Sequence, residues 1–198
     1  MKKLLSFKNI FIALALTVSF SYANTILDSL YRLTRNPSIV VSTSKSSTSQ
    51  ERSYYDDKGK IVRVENYVDN VLNGTTYVFY DNGTLKEEKN YVDGSLDGVY
   101  KSYYETGELR KLANYTNGKL DGKLTMYFKD GSMSAQMEFK GGKRDGLSFV
   151  FYKNGNVETY STYRDGSLNG SVSSYCKNGR LVFKGYYKDG VLMQGHNY

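Results

Sequence analysis

Tryptophan is absent from this chain of 198 residues, and proline, cysteine and histidine occur once each. A lone cysteine, Cys176, cannot close an internal disulfide, so no disulfide framework holds the fold. With one histidine, His196, near the end of the sequence, a triad-type nucleophile has no base beside it, and zinc has neither the His nor the Cys ligands it needs. The glycines form no phosphate loop, since no Gly-Lys-Ser/Thr ending follows them. No catalytic, cofactor-binding or metal-binding residue is therefore assigned, and the chain is read as a non-enzyme.

What is present in quantity is tyrosine, 20 of them, with 9 phenylalanines and 19 glycines. That is the composition of a turn-rich β protein whose strands carry amphipathic rings. Residues 1–23 read as a secretory signal: lysines first, an apolar run from Ile10 to Leu16, then Ser21-Tyr22-Ala23 as a small-x-Ala cleavage site. Loss of Lys2, Lys3 and Lys8 with that segment lowers the formal charge from +7 to about +4. Such an excess is no nucleic-acid signature. Export to the periplasm, cell surface or medium is expected, and the cleavage site lacks the cysteine a lipoprotein needs.

Residues 24–41 follow, with apolar positions Ile26, Leu27, Leu30, Tyr31 and Leu33 at helical spacing. They predict a short amphipathic helix that covers part of the sheet. Residues 42–52, rich in Ser and Thr, predict a flexible linker. From 53 to 195 one 24-residue unit recurs six times, leaving 196–198 as a tail.

The unit is punctuated by two turn signals. One carries Gly59, Gly83, Gly107, Gly131, Gly155 and Gly179; the other is Asp93-Gly94 with its copies Asn117-Gly118, Gly141-Gly142, Asp165-Gly166 and Asp189-Gly190. Both predict two-residue type I′ hairpins, because Asn-Gly and Asp-Gly tolerate positive φ at both central positions. The first turn then sets Tyr80 against Leu85, Tyr104 against Leu109 and Tyr152 against Val157, and the second sets Tyr91 against Leu96, Tyr115 against Leu120 and Tyr163 against Leu168. The same register places Gly98, Gly122, Gly146 and Gly170 opposite Tyr115, Phe139, Tyr163 and Tyr187, where a missing side chain leaves room for a ring. The expected fold is all-β: an elongated, single-layer antiparallel meander of twelve strands.

Alternation puts Phe79, Tyr103, Tyr127, Phe151 and Tyr175 on one face, with Lys86 and Arg110 expected across from the first of these rings. This is the candidate binding face. On the opposite face, mid-strand positions are charged early (Arg63, Glu65, Glu87, Lys89, Lys111) and apolar later (Ala135, Met137, Phe183). Recurrent acids such as Asp93 with Asp97 raise calcium at the turns, against the simpler reading that Asx side chains bond their own backbone there.

The residues Phe79-Tyr80, Gly83, Leu85, Tyr91, Asp93-Gly94, Leu96 and Gly98, and their copies, resemble the MORN repeat, with the 24-residue spacing of the bacterial variant in YwqK-type proteins. The first copy departs from the pattern, with Asn70 in place of the turn glycine. The resemblance implies an extended sheet for binding or assembly, without catalysis. Similar eukaryotic arrays are associated with membrane junctions and phospholipids, and YwqK-like bacterial proteins are often labelled antitoxins, a role that sits poorly with an exported chain. The expected partner is thus a protein or an envelope or host-surface component. Anionic lipid bound through Lys86, Arg110, Lys111, Lys119 and Lys123 is the alternative. Nucleic acid is not expected, and the sequence leaves the oligomeric state open.

Overall fold

The computed structural model describes residues 40–43 and 49–198, and all fifteen strands it contains join one antiparallel sheet. They are β1 (Val40–Thr43), β2 (Ser49–Tyr55), β3 (Ile61–Val68), β4 (Val71–Leu72), β5 (Gly74–Phe79), β6 (Leu85–Val92), β7 (Ser95–Tyr103) and β8 (Leu109–Thr116). The remainder are β9 (Lys119–Tyr127), β10 (Met133–Lys140), β11 (Lys143–Phe151), β12 (Val157–Arg164), β13 (Ser167–Tyr175), β14 (Leu181–Lys188) and β15 (Val191–Asn197). Spatial order follows chain order throughout, with β4 paired to β3 beside the main path. The expected all-β open meander is therefore what forms, with more strands than twelve. Among the described residues there is no helix and no second layer. Of the segments expected as a signal and an amphipathic helix, 1–23 and 24–41, residues 1–39 lie outside the described residues, while Val40 and Val41, at the end of the expected helical segment, are strand in β1.

Two boundaries differ from expectation. Part of the expected linker is sheet: Ser42 and Thr43 belong to β1, and Ser49 to Arg52 to β2. Arg52 explains the second case, because it pairs with Glu65, lies 4.0 Å over the Tyr67 ring and donates to Asn70 at 2.7 Å. The expected 196–198 tail is also mostly strand, His196 pairing with Lys184 in β15.

The second turn series forms as the sequence predicts. Asp93 and Gly94 have φ of 47° and 78°, and even Asn70, in place of a glycine, holds 65°. Tyr91 faces Leu96, Tyr115 faces Leu120 and Tyr163 faces Leu168, while Phe139 meets Arg144.

The first series does not. At Asp81-Asn82-Gly83, Tyr80 N donates to Thr84 O and Gly83 N to Tyr80 O, and only Gly83 of the three has positive φ. This is a three-residue loop ending in a left-handed glycine, followed by a bulge. Val78 still pairs with Glu87, but Phe79 pairs with Leu85. The expected Tyr80–Leu85 pair is replaced, and the same one-residue shift gives Tyr103–Leu109, Tyr127–Met133, Phe151–Val157 and Tyr175–Leu181.

A second irregularity surrounds Gly98, which pairs with Tyr115 as expected. On its other side, Lys89 pairs with Tyr100 while Tyr91 pairs with Leu96, so three residues of β7 oppose the single Asn90. Gly98 adopts φ of 102°, and a Cβ there would stand 3.4 Å from that of Asn90. The glycine is thus needed for backbone geometry as well as for the ring opposite. Asn90 Nδ2 fills the gap by donating to Val99 O at 2.7 Å, as Asn66 does to Thr75 O and Thr162 Oγ1 to Ser171 O.

A single layer must bury its centre beneath its own neighbouring side chains. Face A, which carries Lys89, Tyr100 and Ala113 in one cross-strand row and Glu87, Ser102 and Lys111 in the next, does so with small residues. Ser102 and Ala113 are fully buried, and Ala135, Ser148, Ser161 and Val172 nearly so. Each cross-strand pair contributes about 0.2–1 kcal/mol, and the sum over many rows stands in for a conventional core.

Candidate functional site

The rings expected on one face are found together. Phe79, Tyr103, Tyr127, Phe151 and Tyr175 are half-buried on face B, each opposite an apolar residue of the next strand. Early on this face Lys101 Nζ meets Glu88 at 3.1 Å, and Tyr103 OH donates to the same carboxylate at 3.4 Å. Burial and the Glu88 charge raise the Tyr103 pKa, and the Glu88 hydrogen bond raises that of Lys101. Farther along, Phe149 packs on Tyr160 with ring centroids 5.2 Å apart and stacks on Phe151 at 6.1 Å. A depression of about 310 Å³ opens there, lined by Phe149, Val157, Tyr160 and Tyr175 with Asn156 and Gly179.

Lys86 and Arg110 do not join these rings. Lys86 Nζ lies 5.4 Å from the Tyr80 ring centre, and Arg110 Nε donates to Ser102 Oγ at 3.4 Å, so both belong to face A. The cause is the bulge: one extra residue reverses the side on which every residue up to the turn emerges. The candidate face of the sequence reading is therefore two sites on opposite sides of the sheet.

On face A the charged residues are organised. Glu65, 8% exposed, pairs with Arg63 at 3.1 Å and accepts from Tyr67 OH at 2.6 Å, while Arg63 lies 4.3 Å over the Tyr54 ring. Two strands on, Glu87 meets Lys89 Nζ at 2.6 Å and accepts from Tyr100 OH at 2.9 Å. Lys111 Nζ rests 5.0 Å from the Tyr100 ring centre. Burial pushes the Glu87 carboxyl up, but the hydrogen bonds from Lys89 and Tyr100 outweigh it and the net shift is downward. Burial and the bond to Glu87 push Tyr100 up to about 12, and burial with the Glu65 bond also raises Tyr67. Lys111 is lowered, first by burial and then by the neighbouring Arg110.

Further along the same face the equivalent rows are Leu124, Met137, Ser148 and Ser161, then Met126, Ala135, Val150 and Thr159. The charged-to-apolar gradient read from sequence is thus a gradient along one continuous surface.

The acids at the turns are engaged with backbone. Asp97 Oδ2 accepts from Asn117 N at 3.0 Å, Asp121 from Gly141 N at 3.2 Å and Asp145 from Asp165 N at 3.1 Å. Each caps the turn of the following hairpin, the backbone-bonding role expected of Asx side chains at such bends. Among the described residues no three His, Cys, Asp or Glu side chains gather in metal-binding range. Cys176 is half-buried, with Arg180 Nη2 4.0 Å from its sulfur.

A further contact was missed in the sequence. Tyr80 OH donates to Tyr103 O at 2.8 Å, Tyr104 OH to Tyr127 O at 2.7 Å and Tyr152 OH to Tyr175 O at 2.9 Å. Each hydroxyl clamps one hairpin to the next. The 24-residue recurrence of tyrosine, broken by Phe128 and Cys176, was the visible signal.

Three stretches match the MORN repeat variant. They are residues 72–93, 96–117 and 144–165. The MORN-matching stretches flank residues 118–143, where Phe128, Phe139 and Gly141 stand in place of the tyrosines and the Asp or Asn that the matching stretches carry at these positions. No curated protein matches the chain. Among solved structures, one titled "Crystal structure of GtfA/B complex" is 13% identical over 58% of this chain and 18% of that one, with a TM-score of 0.22. At so loose a superposition nothing is transferred from it.

Proposed function

We propose that the chain is an exported, non-enzymatic scaffold of six MORN-like repeats that binds a protein or a cell-envelope or host-surface component through its sheet faces. The observation that carries this reading is the open single layer: both faces present ordered rings and charges, and no other described element covers either of them. MORN repeats commonly serve as binding modules for proteins or membrane lipids, and the three matching stretches support that class of role.

The lipid alternative is weaker once its five cations are placed. Lys86, Arg110 and Lys111 share face A, whereas Lys119 pairs with Thr116 at a turn and Lys123 sits opposite Glu138 on face B. One membrane plane does not meet all five.

Mass spectrometry of the chain recovered from outside the cytoplasm tests export, with an N-terminus at Asn24 expected. Saturable binding of labelled protein to isolated envelopes tests the scaffold reading. An uncleaved cytoplasmic chain, or binding no greater than to neutral vesicles, would overturn it.

A further inference from the structure

Within the scaffold reading on which it rests, the charge on face A is more specific than a general excess. Arg52, Arg63, Lys86, Lys89, Arg110 and Lys111 share this face between β2 and β8, where the strands carry the carboxylates Glu65 and Glu87. Those carboxylates are taken up by Arg63 and Lys89. Among the described residues Lys86, Arg110 and Lys111 form no ion pair. Lys86 and Lys111 instead rest on tyrosine rings, and Arg110 on the fully buried Ser102 hydroxyl. Lys86 and Lys111 feel the Glu87 charge through space without bonding to it; a ring or hydroxyl fixes a cation without neutralising it, so these groups are held in place with donors free for an anion. Thr76, across from Lys89 on the same face, is 3% exposed and its Oγ1 has no hydrogen-bond partner. A buried hydroxyl left unsatisfied is uncommon.

Spacing selects the ligand class. Lys86 and Arg110 are equivalent positions two strands apart, roughly 9.6 Å at the usual interstrand distance. That interval suits an extended polymer bearing one carboxylate per disaccharide, and is longer than the step between successive nucleic-acid phosphates. The cations lie along one face of a twisted sheet, Lys86 and Lys111 against rings and Arg110 against a hydroxyl. We propose that the β2–β8 half of face A binds an extended acidic polysaccharide, whose carboxylates are taken by Lys86, Arg110 and Lys111.

The test is titration of the full-length chain with a hyaluronan decasaccharide, alongside a neutral chitin oligosaccharide, poly-glutamate and phosphatidylglycerol vesicles. Hyaluronan is expected to bind, to weaken as salt rises, and to lose about tenfold or more in affinity in Arg110→Glu and in Lys86→Glu, each an exposed site. Lys123→Glu on face B is expected to bind as the parent does, and thermal unfolding verifies that all three variants fold. No binding of hyaluronan, equal loss in Lys123→Glu, or equal or tighter binding of poly-glutamate or vesicles would overturn the proposal. Saturable envelope binding that persists in Arg110→Glu would remove this site while leaving the scaffold reading intact; loss of all envelope binding in the parent would remove both.

Discussion

The two halves of face A have the same backbone and different interiors. From β3 to β8 the centre of the sheet is an ion-pair and tyrosine network, Arg63–Glu65–Tyr67 and Lys89–Glu87–Tyr100. From β9 to β14 the same rows carry Leu124, Ala135, Ser148, Ser161 and Val172, which are buried and bear no charge. Strand pairing is equivalent in both, so the backbone ladder does not require either kind of centre. A single layer exposes even its middle to some water, which is why charges that a closed core would reject are tolerated in the front half. The halves meet at the hairpin around Phe128, where the inter-hairpin tyrosine clamp is missing.

Placing a charge in the apolar half should have the largest effect. Val172→Asp puts an unpaired carboxylate at a buried site and is expected to cost about 3 kcal/mol, read by chemical denaturation. The same aspartate at Val78, half-buried on face A of the front half and opposite Arg63, should cost only about 1 kcal/mol or less; equal losses would show that the two regions do not differ.

Removing a charge from the front half comes next. Glu87→Gln strips the partner of Lys89 and is expected to cost about 1 kcal/mol at neutral pH. Because the folded state lowers the Glu87 pKa, the parent's advantage is full above the unfolded value of about 4.3 and disappears as pH falls through the folded value. An advantage that persisted unchanged in stronger acid would contradict the ion-pair assignment.

The boundary can be probed with a single oxygen. Tyr104→Phe deletes the donor to Tyr127 O and should cost about 0.5–1 kcal/mol, whereas Phe128→Tyr should recover part of that amount by reaching the next hairpin. The smallest expected effect is Lys111→Met, a gain of about 0.3 kcal/mol, since burial and Arg110 both disfavour this cation in the folded state. Stability should rise while polysaccharide affinity falls, a pairing seen where a charge is kept for binding.

Much of this was legible because the repeat supplies many readings of one pattern. The type I′ turns, the Tyr91–Leu96 pairing and the Gly98–Tyr115 pairing followed from Asp-Gly signals and period-two alternation. The face gradient from Arg63 and Glu65 to Ala135 and Met137 was visible for the same reason. What was not legible lay in hydrogen bonds that skip a strand: the Tyr80 and Tyr104 clamps and the Asp97 turn cap join residues 20 to 23 positions apart, which no pairing of adjacent strands suggests.

By itself the sequence determined the meander and the mid-strand register, since a period-two pattern repeated every 24 residues admits few alternatives. Only the tertiary structure decided which side Lys86 and Arg110 occupy. The irregularity around Gly98 adds two residues and preserves the sides of the strand, whereas the bulge after Gly83 adds one and exchanges them. Asn-Gly permits either a two-residue or a three-residue loop, and the choice between them moved both cations from the aromatic ladder to the face where they now stand unpaired.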